Sequence, residues 1–151
     1  MSFESKHYIE NEIASLSGDE LIAFIYSGTL RFLTEIKELL QKGDIESKVE
    51  KVNRVIDIIS YLRSILDFEK GGVIAKNLDS LYLFSVKELS EFNYSNDVKK
   101  LETVENIFRE LHKTWKEMIK RKKKEGKGDS TSTPDMSSVD NSKEKRLELY
   151  G

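Results

Sequence analysis

The 151-residue chain has no cysteine, one proline and two histidines. Without cysteine there is neither a disulfide scaffold nor a thiolate zinc site. The proline is Pro134, so no residue upstream of it refuses a helix interior and a mostly helical body is permitted. His7 and His112 are too few for a His-rich metal centre or a catalytic triad. Carboxylate-bridged dimetal bundles place Glu-x-x-His on two helices. Here Arg109 stands three residues before His112, and Glu4 before His7 is a solitary match ahead of the first expected helix. No serine sits in a nucleophile-elbow sequence. Gly71-Gly72 has no strand before it and no Lys-Ser/Thr after it, so it reads as a helix-to-helix turn rather than a phosphate cradle. No catalytic residue, metal site or cofactor is expected. No apolar run approaches roughly 20 residues, and the opening MSFESKHYIE lacks a signal-peptide core. A cytoplasmic protein with no stable membrane insertion is expected.

What is present is the composition of one globular domain, 38% hydrophobic and 34% charged. A compact fold of this length buries roughly 70% of the surface of its unfolded chain, enough for a core that needs no crosslink. The near-neutral total hides an uneven distribution of charge. Residues 1–119 carry 16 Lys/Arg against 21 Asp/Glu, a net of −5; residues 120–127 carry 6 against 1, a net of +5; residues 128–151 carry 3 against 5, a net of −2. An acidic body argues against binding a phosphate backbone, which requires clustered Lys/Arg, so no nucleic-acid partner is expected. The run Lys120, Arg121, Lys122, Lys123 and Lys124 lacks interleaved aromatics and reads as the solvated end of a helix, where cations suit the negative end of the dipole.

Four segments carry apolar residues at helical spacing. Ser17 and Glu20 form an S-x-x-E capping box, followed by Leu21, Ile22, Ile25, Tyr26, Phe32, Leu33, Ile36, Leu39 and Leu40, with Gly43-Asp44 as the stop and the next cap. A second segment runs through Ile45, Val49, Val52, Val55, Ile56, Ile59, Leu62 and Leu66, ending near 67–72. A third follows the glycine pair through Ile74, Leu78, Leu81, Tyr82, Leu89 and Phe92 and closes in a polar turn, Asn93 to Asn96, before an Asp97 cap. The fourth is Val98, Leu101, Val104, Phe108, Leu111, Trp115 and Met118. Trp115 and Tyr82 read as core residues whose polar atoms reach the bundle edge. Short connections favour antiparallel neighbours. The expected fold is all-α: an antiparallel four-helix bundle over 17–125, with an N-terminal leader segment over 1–16 and a disordered polar tail over 126–151. Phe3, Tyr8, Ile9, Ile13 and Leu16 make the leader too apolar for a solvated arm, so it is expected to lie on the bundle and to cover part of a binding groove until displaced.

One feature exceeds what a core needs. Ile58, Tyr61 and Ile65 of the second segment, Leu83, Phe84 and Val86 of the third, and Ile107 of the fourth lie outside the main apolar stripes. Bundle helices need about three apolar positions per heptad, and a wider belt points to grooves that receive another chain's amphipathic segments. Periodicity alone also admits a broader core or a homodimer face.

The order of signals resembles the flagellar secretion chaperone FliS family. The resemblance is carried by Tyr8 ahead of Ile13; by Leu21-Ile22 and then Ile25-Tyr26-Ser27-Gly28, similar to that family's Leu-Tyr-Asp-Gly; and by Leu66-Asp67-Phe68-Glu69, Ile74-Ala75-Lys76-Asn77-Leu78 and Leu81-Tyr82. It continues through Asn96-Asp97-Val98, Val104-Glu105 and Thr114-Trp115-Lys116-Glu117, spanning about residues 8–119. Departures are Ser27 in place of the usual Asp, Phe92 where Ala commonly precedes Asn93, and the basic, Ser/Thr-rich tail. The resemblance implies a non-enzymatic helical bundle. Such a bundle binds the C-terminal segment of flagellin in the cytoplasm, prevents premature polymerisation and presents it to the flagellar export gate protein, with other flagellar proteins as further candidate partners. A bundle adaptor or regulator of another protein secretion system is the competing expectation. The candidate partner-binding residues are Tyr8, Ile13 and Tyr26, which the motifs carry, with Ile58, Tyr61, Ile65, Leu83, Val86 and Ile107 from the belt.

Overall fold

The computed structural model describes residues 16–126, and these form four helices: α1 (Gly18–Lys42), α2 (Ile45–Ser64), α3 (Phe68–Ser95) and α4 (Val98–Gly126). Each helix packs against its two neighbours in a closed ring, α1 on α2 and α4, α3 on α2 and α4, which is an up-down-up-down bundle. The expected leader and tail lie outside the described residues, apart from Leu16 and Gly126.

The helix boundaries follow from local chemistry. At the start of α1 the Glu20 N–H donates to Ser17 Oγ (3.1 Å) and the Ser17 N–H donates back to Glu20 Oε1 (3.0 Å), completing the capping box. Gly43 ends α1 in the left-handed region (φ 78°), which a residue without Cβ enters freely, and Asp44 accepts from the Ser47 N–H (3.2 Å) to begin α2. Two boundaries differ from expectation. Asp67 caps the Glu69 and Lys70 N–H groups, so α3 begins at Phe68, ahead of the glycine pair. A single turn, Phe68–Gly71, then precedes a kink at Gly72 (φ 51°, ψ −127°). Asn93 and Tyr94 are helical rather than part of the turn; α3 runs to Ser95 and closes with Asn96 in the left-handed region (φ 60°). Asp97 then accepts from the Lys99 N–H (3.0 Å).

Inside the ring, α1 contributes Tyr26, Leu33 and Ile36; α2 Val52, Val55, Ile59 and Leu62; α3 Ile74, Leu78, Tyr82, Leu89 and Phe92; and α4 Leu101, Val104, Phe108, Leu111, Trp115 and Met118. Ile56 is half-buried against this cluster, and Ile45 is exposed. Of the buried polar side chains, Thr29 donates to the Ile25 carbonyl (2.8 Å) and Lys48 and Glu105 have partners on neighbouring helices, whereas the Ser85 hydroxyl has none among the described residues. Lys48 stands on the buried stripe of α2 and is fully buried. Its ammonium donates to the Asn93 backbone carbonyl (3.0 Å) and to Asn93 Oδ1 (3.2 Å), and lies 5.1 Å from the centre of the Phe92 ring. Among the described residues no carboxylate balances it, and burial holds this lysine below the usual lysine range. Glu105 is buried against Lys37 (3.0 Å).

Ion pairs and one buried lysine hydrogen bond set the register. Lys37–Glu105 and Lys122–Asp19 (2.6 Å) align α1 with α4; Lys51–Glu35 (2.7 Å) aligns α1 with α2; Arg63–Asp79 (2.7 Å) and Lys48–Asn93 align α2 with α3. The basic end of α4 is therefore more than a solvated terminus, because Lys122 and Lys123 pair with Asp19 and Glu20 in the first turn of α1. In this register Ser64 lies level with Leu78, so the stretch of α3 between the Gly72 kink and Leu78, roughly five residues or 7 Å at 1.5 Å per residue, extends past the end of α2.

The backbone at Gly72 is open only to glycine, because φ above zero combined with ψ near −127° brings any Cβ into the neighbouring peptide. Gly72→Ala is expected to cost about 1–3 kcal/mol of folding free energy, measured by denaturant unfolding. The equivalent change at Gly43, whose φ/ψ is the ordinary left-handed helical region, should cost about 1 kcal/mol.

Candidate partner-binding surface

The short α2 leaves an opening at one end of the bundle. The bundle has 28 residues in α3 and 29 in α4 but only 20 in α2. Where α2 stops, the N-terminal parts of α1 and α3 and the C-terminal part of α4 continue, and on the fourth side stand only the 65–67 bend and the single turn before the Gly72 kink. The result is an apolar groove of about 360 Å³ at the end of the bundle. Leu21 and Ile22 form one side, Leu62, Ile65 and Leu66 the rim where α2 ends, and Ile74 and Leu78 the other side. Tyr82 and Trp115 form its floor.

That floor belongs to an aromatic cluster. The Tyr26 and Tyr82 hydroxyls are 2.6 Å apart. The Tyr26 ring meets Phe108 and Trp115 edge-on, with centroids 5.7 and 5.4 Å away, and Tyr82 stacks on Phe108 at 6.3 Å. Burial pushes the Tyr82 phenol up to about 12, with the Tyr26 hydrogen bond acting in the opposite direction. Tyr26, expected at a partner-binding surface, is thus a core residue with no exposed surface. Its place on α1 explains this, since residues 26, 29, 33 and 36 follow one inward stripe.

A second apolar groove, about 420 Å³, runs between α1 and α2. It brings Ile58 and Tyr61 together with Phe24, Ile25 and Phe32. Phe24 and Tyr61 are close to half exposed. Ile65, also exposed, continues α2's edge into the end groove. Sequence reasoning missed Phe24; the signal available was its position on the α1 flank away from the inward stripe.

The other belt residues do not join these grooves. Val86 stands seven residues from both Asp79 and Asn93, each bonded to α2, so it lies half-buried along the α2–α3 seam. Ile107 stands seven residues from Lys100, which pairs with Glu88 and Glu91 of α3, and so lies half-buried along the α3–α4 seam. Leu83 and Phe84 are exposed on the outside of α3. The belt is therefore distributed around the bundle rather than gathered in one trough. Tyr8 and Ile13 lie outside the described residues. Among the described residues no group of His, Asp or Glu is placed to hold a metal ion, and no helix is long and apolar enough to cross a membrane.

The molecule is thus a closed ring of four helices with apolar grooves at one open end and along a flank, a shape of the kind that receives apolar segments of other chains. The sequence matches the profile of the family described as flagellar protein FliS over residues 1–122. It is 36% identical over 107 residues to the flagellar secretion chaperone FliS of Vibrio cholerae, covering 71% of this chain and 79% of that protein. It is 33% identical over 111 residues to the protein of the same name from Salmonella typhimurium, covering 73% and 82%, and 24% identical over 121 residues to that of Bacillus subtilis, covering 80% and 90%. The chain belongs to the FliS family.

The buried tyrosine pair gives the protein an alkaline signature. With the Tyr82 phenol pushed up to about 12 from a model-peptide value near 10, the unfolded chain releases this proton first as pH rises. Stability contributed by the neutral phenol is fully present below about pH 10 and is lost between about 10 and 12, to a total of about 2–3 kcal/mol. Tyr82→Phe should cost about 0.5–1.5 kcal/mol at pH 8 through the lost hydrogen bond, yet lose less stability than the parent between pH 8 and 11 in urea titrations. Parallel pH profiles would show that Tyr82 does not titrate with unfolding.

Proposed function

We propose that this protein is a flagellar export chaperone that binds the C-terminal segment of flagellin in the cytoplasm, keeps it from polymerising and delivers it to the export gate. The observation that carries the reading is the pair of apolar grooves at the open end and along α1–α2, on a chain that belongs to the FliS family. Apolar residues on the outside of α3 and along two further seams favour a long, extended client over a single docked helix. Binding is coupled to folding: a segment that is disordered when free loses several kcal/mol of conformational freedom on docking, and burial of its apolar side chains offsets that loss. No covalent step is needed for this role, which is that of a binding protein and not of an enzyme. The apolar leader, carrying Tyr8 and Ile13, acts as a competitor that the client displaces.

The test is calorimetric titration with the flagellin C-terminal segment of the same organism. Ile65→Asp and Tyr61→Asp, both at exposed groove positions, should weaken binding well over tenfold, since burying each apolar side chain is worth roughly 1.5–3 kcal/mol. Melting should be unchanged. Leu78→Ala, in contrast, removes a buried side chain and should cost about 2–5 kcal/mol of stability. Unchanged affinity in both surface variants would remove these grooves from the client site. Conversion of a dimer to a monomer by the same variants would assign the apolar surface to self-association instead.

A further inference from the structure

The opposite flank of α1 faces a cleft of different chemistry. On α4, Arg109, Lys113, Lys116, Lys120 and Lys123 recur at steps of four, three, four and three, so they share one helix face. They line a cleft of about 650 Å³ between α4 and α1 that shares no residue with the two apolar grooves. Lys123 is paired with Glu20 (3.3 Å), and Arg109 donates to Asn106 Oδ1 (2.8 Å). Among the described residues Lys113, Lys116 and Lys120 have no carboxylate partner, so their charge is available to a ligand. The four cations from Arg109 to Lys120 extend along about 16 Å of helix, three turns. Ala23 and Ile119 supply an apolar floor, and His112, held below the usual histidine range by burial and by Lys116, adds no charge of its own near pH 7.

We propose that this cleft docks an acidic, amphipathic helical segment of a protein partner, with carboxylates spaced to meet the lysines and aliphatic side chains resting on Ala23 and Ile119. Charge decides the sign of the partner and shape decides its class. A nucleic-acid strand or an anionic bilayer presents a uniform line or plane of phosphates, which the net −5 of residues 1–119 repels at long range. Glu20 and Glu117 stand in the lining, where they oppose a continuous polyanion but leave room for discrete carboxylates placed between them. No Phe, Tyr or Trp side chain lines the cleft, which leaves bases only the His112 ring and the Arg109 guanidinium to stack on. A concavity with an apolar floor suits a helix better than a flat surface. Because the cleft is separate from the apolar grooves, the acidic partner and the apolar client can be held together.

The probe is a fluorescein-labelled peptide of about 18 residues, with glutamates at the matching four-three-four spacing and leucines on the adjoining stripe, titrated by anisotropy against the full chain. Lys113→Glu combined with Lys116→Glu should weaken binding about tenfold or more, and raised salt should weaken the parent complex in the same direction. Lys76→Glu combined with Lys99→Glu, exposed and outside the cleft, should leave binding within about twofold, and melting curves should coincide for all three proteins. Equal affinity of the Lys113/Lys116 variant and the parent would overturn the proposal. So would equal binding of a peptide with the same glutamates but no leucines. Oligo-dT or phosphatidylglycerol vesicles binding as tightly as the peptide, with the same loss in the variant, would assign the cleft to a general polyanion.

Discussion

The Tyr26–Tyr82 hydroxyl contact is the interaction on which this bundle turns. It links α1 to α3, helices diagonal to one another in the ring, and so fixes the separation of the two walls that never pack side by side. Each hydroxyl is buried, and a buried hydroxyl without a partner costs more than a hydrogen bond returns. The two tyrosines therefore constrain each other's rotamers, and through edge-on and stacked contacts they constrain Phe108 and Trp115 on α4. Three helices are tied at one level by four rings. The fourth helix, α2, ends close to that level, and the aromatic cluster becomes the floor of the open groove. A rigid floor is what allows an apolar opening to persist, because flexible side chains would collapse into it.

The same end of the molecule concentrates the polar fastening. Asp19 and Glu20 begin α1 and meet Lys122 and Lys123 near the end of α4, 103 residues away in the case of Asp19 and Lys122. Here helix dipoles and side chains act together: carboxylates stand at the positive end of α1 and ammonium groups at the negative end of α4. The Asp19–Lys122 pair is mostly buried, with side chains 18% and 15% exposed, so it is shielded from salt far better than the Lys87–Glu91 pair on the outside of α3. At the far end, Lys48 plays a different part. Its stem fills the core, its ammonium meets carbonyl oxygens and a ring face, and it holds α2 to α3 through Asn93.

How much of this was legible in the sequence depends on the range of the interaction. The Ser17–Glu20 box, the Gly43 stop and the Asp44 cap are contacts within four residues, and the sequence alone located each of them. The apolar stripes, with a period set by helix geometry, identified most of the core. Failures came where a residue's role depends on another helix. Asn93 reads as a turn residue by its own propensity, but its carbonyl groups are required by Lys48, 45 residues earlier, and the helix continues through it. Lys48 sits in phase with Val52, Val55 and Ile59, a signal that phase alone offered and that its charge concealed. Tyr26 stands in the motif that carries the family resemblance, yet motif membership does not distinguish a contact surface from the support beneath it. The belt was visible as an excess of apolar residues, but assigning each one to a seam needs the angular position of every helix, which only the ion pairs supply.

The length of α2 connects these observations. With the register fixed by Arg63–Asp79 and Lys48–Asn93, every residue added to α2 would advance its end along the groove by about 1.5 Å and cover more of the aromatic floor. Asp67 prevents that extension by capping the first turn of α3 immediately after the Ile65–Leu66 bend. The Gly72 kink folds the first turn of α3 back so that Gly71 lies against Ala75, where an added Cβ would meet the Ala75 Cβ at 2.8 Å, and only a residue without a side chain fits. The opening at the bundle end is thus specified by a cap, the Gly72 kink and two interhelical pairs, of which only the cap, Asp67, lines it. A groove built this way can tolerate changes in its lining, and so in what it binds, while its position in the bundle stays fixed.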